Sequence, residues 1–158
     1  MNRLAQWSDG TTTFDYVYDP FGRRVKKAVS GGATTWYLWD GDRLLAEYDG
    51  ADNRTARYAY GEGFAPLQVA YPDGGGGEDV YDVHTDHLDT PRLLTDAGQG
   101  VVWRAAYEAF GRARLDSANT VSGFNIRFPG QYYDKETERW DPTLNRGAGG
   151  YVEGSGLH

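Results

Sequence analysis

The spacing of aromatic residues is the feature of this sequence that most restricts its fold. Tyr18, Trp39, Tyr60 and Tyr81 stand 21 residues apart, and three of the four are followed directly by a turn-forming residue. Around the first of them, residues 14–25 read FDYVYDPFGRRV, an alternating strand followed by a turn. A constant period of about 20 residues is typical of repeat architectures, in which each unit covers the apolar face of its neighbour.

Short alternating runs between turn residues predict an all-β fold. Strand-like segments are separated by turns every 8 to 12 residues or so, as in β-sandwiches and related folds. The 22 glycines among 158 residues and the aromatic content of 15% fit a chain rich in turns and packed strands. Alternation in so many strands favours antiparallel hairpins over a parallel sheet. Pro66 restricts its own strand to a sheet edge or to a late start.

Three local predictions follow from the same patterns. In residues 43–48, strict alternation puts Leu44, Ala46 and Tyr48 on one face of a strand, with Leu45 and Glu47 on the other. Short strands are predicted for residues 124–128 and 131–134. Residues 74–77, which are all glycine, predict a flexible and exposed loop tip.

Composition excludes several classes of function. The net charge of −7 argues against a nucleic-acid partner, because binding phosphate requires clustered basic residues. Arg23, Arg24, Lys26 and Lys27 form a basic cluster, which we interpret as a solvated strand edge. Without cysteine the chain has no disulfide and no thiol nucleophile. We expect neither a signal peptide at the N-terminus nor a membrane span, since no apolar run is long enough.

Several motifs resemble those of one protein family. YDPFGRRV, residues 18–25, resembles the tyrosine-aspartate (YD) repeat of Rhs and teneurin-type proteins. Residues 84–92, HTDHLDTPR, resemble the H-x-D-H-L-G-T-P-R signature near the end of an Rhs core. Further resemblance lies in residues 103–112 and in RFPGQYYD, residues 127–134. The resemblance covers roughly residues 1–142, and its ordered set of longer motifs is specific.

The resemblance implies a fold, a role and a set of motif residues. It implies YD-repeat hairpins over residues 1–83, a core-associated segment over 84–142 and a degenerate terminus over 143–158. In the family, such hairpins form a curled or spiralling β-sheet shell around a C-terminal toxin, as in insecticidal toxin complexes. The repeat motif comprises Tyr18, Asp19, Gly22, Arg23, Trp39, Tyr60 and Tyr81, and the core motif His84, Asp86, His87, Pro91, Arg92, Gly130, Gln131 and Tyr132.

The resemblance also implies partners and a location. We expect a structural fragment without a cofactor, secreted or displayed on the cell surface as part of a larger bacterial protein that acts in competition between bacteria. Its partners would be the remainder of the shell and the enclosed toxin. Open sheet edges pair readily with other chains, so we also expect self-association through them.

Four potential metal ligands lie within six residues, at His84, Asp86, His87 and Asp89. Zinc would require imidazoles and a carboxylate that converge on one point. In the alternative that we favour, Asp86 accepts hydrogen bonds from turn amides and the histidines pack against aromatic rings. The family usually has glycine in place of Asp89, and Asp adopts left-handed backbone geometry more readily than most residues.

Two further functions remain alternatives. Rhs cores cleave themselves after the leucine of a D-P-x-G-L motif, using aspartates. Here the matching carboxylates would be Asp141 and Glu153, with cleavage after Leu157, but Gly154 replaces the proline and glycines at 147, 149 and 150 loosen the segment. A surface carbohydrate-binding module is the other alternative, with tyrosines and tryptophans stacking on sugars. Their spacing favours inter-strand packing ladders instead.

Overall fold

The computed structural model describes residues 3–108, 112–128, 131–134 and 139–141. This part of the chain consists of β-strands, turns and irregular segments and contains no helix, so none of it forms an apolar helix long enough to cross a membrane. The strands are β1 Gln6–Ser8, β2 Thr13–Tyr18, β3 Arg24–Val29, β4 Thr34–Asp40, β5 Arg43–Asp49, β6 Arg54–Tyr60, β7 Pro66–Pro72, β8 Glu78–Thr85, β9 Pro91–Thr95, β10 Val101–Tyr107, β11 Ala113–Leu115, β12 Tyr132–Asp134 and β13 Arg139–Asp141.

Strands β1 to β11 form one sheet in which every strand pairs with its neighbours in sequence. All pairs are antiparallel, so the sheet is a chain of consecutive hairpins. Strands β12 and β13 pair in a separate ribbon. The predicted all-β antiparallel fold is confirmed. Pro66 begins β7, as predicted, whereas residues 124–128 contain only an isolated bridge from Ile126 to Tyr132 and no strand.

A five-residue turn that begins with aspartate recurs five times. In each, the backbone N–H of the aspartate donates to the carbonyl four residues later, and its carboxylate accepts the backbone N–H of that same residue. The fourth residue of each turn has a positive φ. These turns begin at Asp19, Asp49, Asp73, Asp86 and Asp96, and their fourth residues are Gly22, Asp52, Gly76, Asp89 and Gln99. Asp89, where the family has glycine, therefore occupies the left-handed region, with a φ of 57°.

A β-bulge follows the turn in four hairpins at one rim of the sheet, those that join β2 to β3, β4 to β5, β6 to β7 and β8 to β9. The register shifts so that the second residue of the returning strand has no partner, and these residues are Val25, Leu45, Leu67 and Arg92. The residue before each bulge is buried: Arg24, Leu44, Pro66 and Pro91. Because a bulge bends its strand and increases its twist, four bulges in equivalent positions bend the sheet repeatedly along this rim. Two further bulges, at Thr55 and Val102, follow turns at the opposite rim.

The hydrophobic core lies on one face of the sheet, which we call the inner face. This face carries Tyr37, Tyr58, Val69, Leu94 and Trp103. Residues 124–128 and 131–134, which we call the C-terminal hairpin, pack against it. Trp36, Leu38 and Val80 are exposed on the opposite face, which we call the outer face. Tyrosine and tryptophan therefore contribute much of the core, in agreement with the predicted packing ladders.

The contacts of the C-terminal hairpin require the sheet to curl. The ring of Phe124 lies 5.1 Å from that of Trp103 on β10, while Asp134 contacts Arg24 on β3. The hairpin itself is narrow, because the N–H of Tyr133 donates to the carbonyl of Asn125. In a flat sheet β3 and β10 would lie about 34 Å apart, seven spacings of roughly 4.8 Å. Both strands reach one narrow hairpin only if the sheet curves toward its inner face.

Candidate functional site

The C-terminal hairpin is held on the inner face by a group of charged and phenolic side chains. We call this group the polar clasp; it comprises Arg24, Lys27, Glu47, Tyr58, Tyr132 and Asp134. All six are less than a tenth exposed. Four of them come from strands β3, β5 and β6 of the sheet, and two from β12. The clasp therefore joins parts of the chain that are as far apart as 110 residues.

Glu47 lies on the inner face together with Leu44. Strict alternation predicted these two residues on opposite faces, and that prediction was wrong. Leu44 pairs with Trp39 and Ala46 with Leu38, so that Leu45 is the bulged residue between them. The extra residue puts Glu47 on the same face as Leu44, opposite Tyr37 on β4. A single inserted residue reverses the facing of the positions beyond it.

The carboxylate of Glu47 accepts one hydrogen bond on each oxygen. The hydroxyl of Tyr58 donates to Oε1 at 2.7 Å, and the hydroxyl of Tyr132 donates to Oε2 at 2.9 Å. Burial raises the pKa of Glu47 above its ordinary value of 4.5, although both hydroxyls and the nearby charges of Lys27 and Arg24 act in the opposite direction. The Tyr132 bond connects the sheet to the hairpin, while the Tyr58 bond lies within the sheet.

Arg24 and Lys27 belong to the basic cluster that we interpreted as a solvated edge, and for these two residues that interpretation was wrong. The bulge at Val25 leaves both on the inner face, 3% and 8% exposed. Nη1 of Arg24 lies 2.5 Å from Oδ2 of Asp134, and Nζ of Lys27 lies 3.3 Å from Oδ1. Only Lys26 faces the outer side, over the ring of Trp36.

Aromatic rings surround the Arg24 guanidinium. Its central carbon lies 5.0 to 5.5 Å from three ring centroids, those of Tyr16, Tyr37 and Tyr132. Such contacts stabilise a cation most where water is excluded. A second buried cation, Arg127, lies over Trp103 and Tyr133 and donates to the carbonyls of Phe124 and Ile126. Burial lowers the pKa of Arg127.

Most of the repeat-motif residues lie near one rim of the sheet, where they connect neighbouring hairpins. Asp19 holds its own turn and forms an ion pair of 2.6 Å with Arg23, which in turn donates to the carbonyl of Gly41 in the next hairpin. The indole N–H of Trp39 donates to the carbonyl of Arg24. Tyr18 and Tyr60 lie beneath the guanidinium groups of Arg3 and Arg43. Tyr81 lies in the middle of β8 and packs against Tyr71.

Two features of the structure require glycine at position 22. Its φ is +82°, and a Cβ built there would lie 2.7 Å from Nη2 of Arg3. A side chain would therefore be strained and would also displace the arginine that covers Tyr18. The YD motif thus encodes both the turn and the link to the preceding strand.

The core-motif residues around Asp86 build a turn of the same kind. The carboxylate of Asp86 accepts hydrogen bonds from the amides of Leu88 and Thr90 and from Nε of Arg92, as in the interpretation that we favoured. These bonds lower the pKa of Asp86 despite some burial. Pro91 is buried at the start of β9. Gln131 closes the turn of the C-terminal hairpin, and Gly130 lies outside the described residues.

The two histidines of this motif are exposed instead of packed against aromatic rings. Nε2 of His84 lies 2.8 Å from the hydroxyl of Thr95, and His87 is exposed at the turn. Within the described residues no three of the potential ligands converge on one point. That zinc does not bind here stays a prediction.

The residues of the self-cleavage alternative fall mostly outside the described part of the chain. Glu153 and Leu157 are not described, and Asp141 is described only as the last residue of β13, opposite Tyr132 in register. For the carbohydrate alternative, the most exposed aromatic side chains in the described part of the chain are Phe21, Phe64 and Trp36, and they lie apart on two turns and on the outer face. They do not form a continuous stacking surface.

Sequence reasoning missed Glu47 as a clasp residue. A lone acidic residue between Ala46 and Tyr48 in an otherwise apolar strand is the signal that could have drawn attention to it. Its partner Tyr132 was named as a motif residue, but nothing local links two positions 85 residues apart.

The fold and these turns define an all-β repeat protein built from antiparallel hairpins. A model of the RHS protein family matches residues 80–116. The chain is 31% identical over 126 residues to the tRNA3(Ser)-specific nuclease WapA of Bacillus spizizenii, and 30% identical over 166 residues to the toxin protein Tse5 of Pseudomonas aeruginosa. It is 25% identical over 154 residues to the double-stranded DNA deaminase toxin A of Burkholderia cenocepacia.

The chain belongs to the Rhs family. These alignments cover 77%, 83% and 81% of the chain, but only 5%, 12% and 11% of the three relatives. The segment therefore corresponds to a small part of much larger toxins.

Proposed function

We propose that this chain forms part of the wall of a β-sheet shell that encloses the toxin of an Rhs-type protein, and that the chain is not itself catalytic. The observation that carries the proposal is the position of the C-terminal hairpin. After β11 the chain leaves the sheet, and the polar clasp holds the C-terminal hairpin on the inner face, which is the concave side of the curled sheet. A curled wall with part of its own chain bound on the concave side is what an enclosing shell requires.

The relatives support a shared role that is not the chemistry of any one toxin. One is named a tRNA nuclease, another a double-stranded DNA deaminase, and both resemble this chain over about four-fifths of its length. Two reactions so different do not use the same catalytic residues. What the three proteins share with this chain is then a common scaffold, and the partners of this segment are the rest of the shell and the toxin within it.

The same proposal covers location. The segment acts as part of a larger bacterial protein that is secreted or displayed on the cell surface, in competition between bacteria. No cofactor enters the proposal, since the residues of the clasp serve to attach the hairpin.

Size-selective thiol labelling tests the enclosure. Because the chain has no cysteine, Leu38→Cys on the outer face and Ser155→Cys near the end of the chain each provide a single thiol. In a longer protein that carries this segment and has any cysteines outside it replaced by serine, we expect a small maleimide to label both thiols and a polymer-linked maleimide to label only the first. In the isolated 158-residue chain, the small and the polymer-linked maleimide should each label the thiol at position 38 and the thiol at position 155. Equal labelling by the large reagent in the longer protein would contradict enclosure.

Intact-mass spectrometry tests the non-catalytic part of the proposal. Self-cleavage requires two carboxylates held in place against the scissile bond. We expect purified protein to retain His158 after a day at any pH from about 4, near the ordinary pKa of aspartate and glutamate, to about 8. Loss of that residue, prevented by Asp141→Asn or Glu153→Gln, would make this chain a self-cleaving enzyme instead.

A further inference from the structure

Lys27 is a buried lysine whose ammonium group meets a carboxylate from a distant part of the chain. Its side chain is 10% exposed and that of Asp134 is 6% exposed, and Nζ of the lysine lies 3.3 Å from Oδ1 of the aspartate. The two residues are 107 positions apart, on β3 and on β12 of the C-terminal hairpin. Lysine and aspartate are rarely buried so completely. An amine and a carboxyl group held together in this way can condense to an amide.

The position of Nζ is suitable for an attack on the carboxyl carbon of Asp134. Reacting atoms that start about 3 to 3.5 Å apart are close to the geometry of bond formation, and Cγ is the carbon to which Oδ1 is bonded. Groups that are well oriented within one molecule react as though their concentration were about 10⁵ to 10⁸ M. A condensation that is negligible between free molecules is therefore accessible within the polar clasp.

Exclusion of water favours the condensation in two ways. An ammonium ion has no lone pair with which to attack, so a proton must first move from Nζ to the carboxyl group. This transfer converts an ion pair into two neutral groups, and it costs less where charges are poorly solvated. A dry site also protects the product, since hydrolysis of the amide would need a water molecule.

Arg24 and Glu47 supply the two other groups that the reaction requires. Nη1 of Arg24 lies 2.5 Å from Oδ2 of Asp134, where a cation stabilises the negative charge that develops on this oxygen during the attack. Glu47 provides the second carboxyl group of the clasp, and the charge of Lys27 acts on it. Burial raises the pKa of Glu47, so this side chain holds a proton more readily than an exposed glutamate and can pass it to a leaving oxygen.

We propose that Lys27 and Asp134 condense to an amide bond between β3 and β12, with Glu47 as the proton carrier. Nζ forms a bond to Cγ, and the bond from Cγ to Oδ1 breaks, so that Oδ1 leaves as water. Both protons of that water come from the ammonium group of Lys27, one of them through Glu47, which returns to its original state. Oδ2, held by Arg24, becomes the oxygen of the amide, and no further reactant is consumed.

The cross-link changes the charges of the clasp without unbalancing them. One positive and one negative charge disappear together, while the guanidinium of Arg24 and the carboxyl group of Glu47 remain. The C-terminal hairpin is then joined to the sheet by a covalent bond as well as by hydrogen bonds. The reaction takes place once in each chain and acts on no other molecule. It does not depend on whether the sheet encloses a toxin.

Intact-mass spectrometry of the folded protein, denatured directly before the measurement, detects the cross-link. We expect a mass lower by one water molecule and, after digestion, a branched peptide that joins residue 27 to residue 134. Protein purified in urea from insoluble material should have its full mass at first and should lose the water within a day after refolding at neutral pH. A folded protein with its full mass and no branched peptide would overturn the proposal.

Two lysine variants test which side chain forms the bond. Lys27→Arg keeps the positive charge but cannot condense, since a guanidinium is not deprotonated in proteins, so its full mass should be retained. Lys26→Arg is the matched control, because Lys26 lies on the outer face over Trp36, and its branched peptide should be unchanged. Dehydration at an Asp-Gly sequence such as Asp73-Gly74 also removes a water molecule. A loss of water that persists in Lys27→Arg would therefore contradict the cross-link. In this variant the hydrogen bonds of the clasp are measured without it.

Two replacements of Glu47 separate proton transfer from packing. Glu47→Gln keeps the shape of the side chain but lacks the acid, and should slow the loss of water after refolding by about 100-fold or more, as expected for a missing general acid or base. Glu47→Asp shortens the side chain but keeps the acid, so it should restore part of the rate. If Glu47 served only in packing, the glutamine variant would react faster than the aspartate variant. That order of rates would overturn the role of Glu47 as the proton carrier.

Discussion

The hydrogen bond between Glu47 and Tyr132 provides a direct test of how the C-terminal hairpin is attached. Glu47 is 7% exposed and Tyr132 is 4% exposed, and the bond of 2.9 Å joins β5 to β12. A hydrogen bond to a charged group contributes about 1.5 to 3 kcal/mol. We therefore expect a coupling free energy of about 2 kcal/mol between the two positions in a double-mutant cycle of Glu47→Gln and Tyr132→Phe.

The assay is urea unfolding of the four proteins, followed by hydrogen–deuterium exchange. In the single mutants we expect exchange to rise in the peptide that spans residues 124–134 and to remain slow in β5 to β7. Tyr58→Phe is the matched control, because Tyr58 donates to the same carboxylate from within the sheet. It should lower the free energy of unfolding by about 1 to 2 kcal/mol without freeing the hairpin.

Two outcomes would refute the reasoning. A coupling free energy below about 0.5 kcal/mol, which is the usual limit of additivity, would mean that the bond does not hold the hairpin. Equal exchange in Tyr58→Phe and Tyr132→Phe would mean that the hairpin and the sheet open as one unit.

The remaining predictions concern a turn, a titration and a sheet edge. Gly22→Ala should lower the free energy of unfolding by about 1 to 2 kcal/mol through strain, and by more than Gly10→Ala, where φ is also positive but no atom lies within 4 Å; thermal melting compares them. Because the pKa of Glu47 is raised, the folded state binds a proton that the unfolded state lacks. Stability should thus rise as pH falls toward 4.5, and Glu47→Gln should remove this slope. Asp86 should have the opposite effect at lower pH. Because its pKa is lowered in the folded state, its contribution to stability should be lost as the pH falls through that lowered pKa. The melting temperature, measured in an acid titration, tests this. Asn119→Ala leaves the N–H of Arg104 without its acceptor and should destabilise by about 1 kcal/mol in urea.

Local patterns predicted most of the strands. Alternating side chains and turn residues such as Asp40-Gly41 act over a few positions, so they can be read without knowledge of the rest of the chain. The turn at Asp86 was interpreted correctly because an aspartate side chain bonds the amides that follow it. The bulges were not predicted, since they depend on the pairing of two strands. Each bulge shifts the facing of later residues, which is why Glu47 was assigned to the wrong face.

The candidate site depends on contacts that no local pattern contains. Glu47 meets Tyr132 from 85 residues away, and Arg24 meets Asp134 from 110 residues away. A basic residue within a strand is usually solvated, and here it is buried only because the sheet curls and brings a carboxylate over it. The polar clasp could therefore have been predicted only if the curvature of the sheet had been known beforehand.

The bulges themselves offer a test of that curvature. Leu45 is the unpaired residue of its hairpin, between Ala46, which pairs with Leu38, and Leu44, which pairs with Trp39. Deleting Leu45 leaves Leu44 and Glu47 facing inward, because the residues on either side keep their partners and regular alternation is restored. What the deletion removes is the local bend and extra twist that a bulge gives its strand.

If the bulges curl the sheet, the deletion should move β3 away from the hairpin and weaken the polar clasp. We expect the deletion variant to lose about 2 to 4 kcal/mol of unfolding free energy, comparable to breaking a buried ion pair, and to show faster exchange in residues 124–134. Leu45→Ala keeps the bulge and loses only part of a half-buried side chain, so it should leave that exchange slow. A deletion variant whose hairpin exchanges as slowly as in the parent protein would show that the bulges do not set the curvature, and that the contacts of the hairpin draw the sheet around it instead.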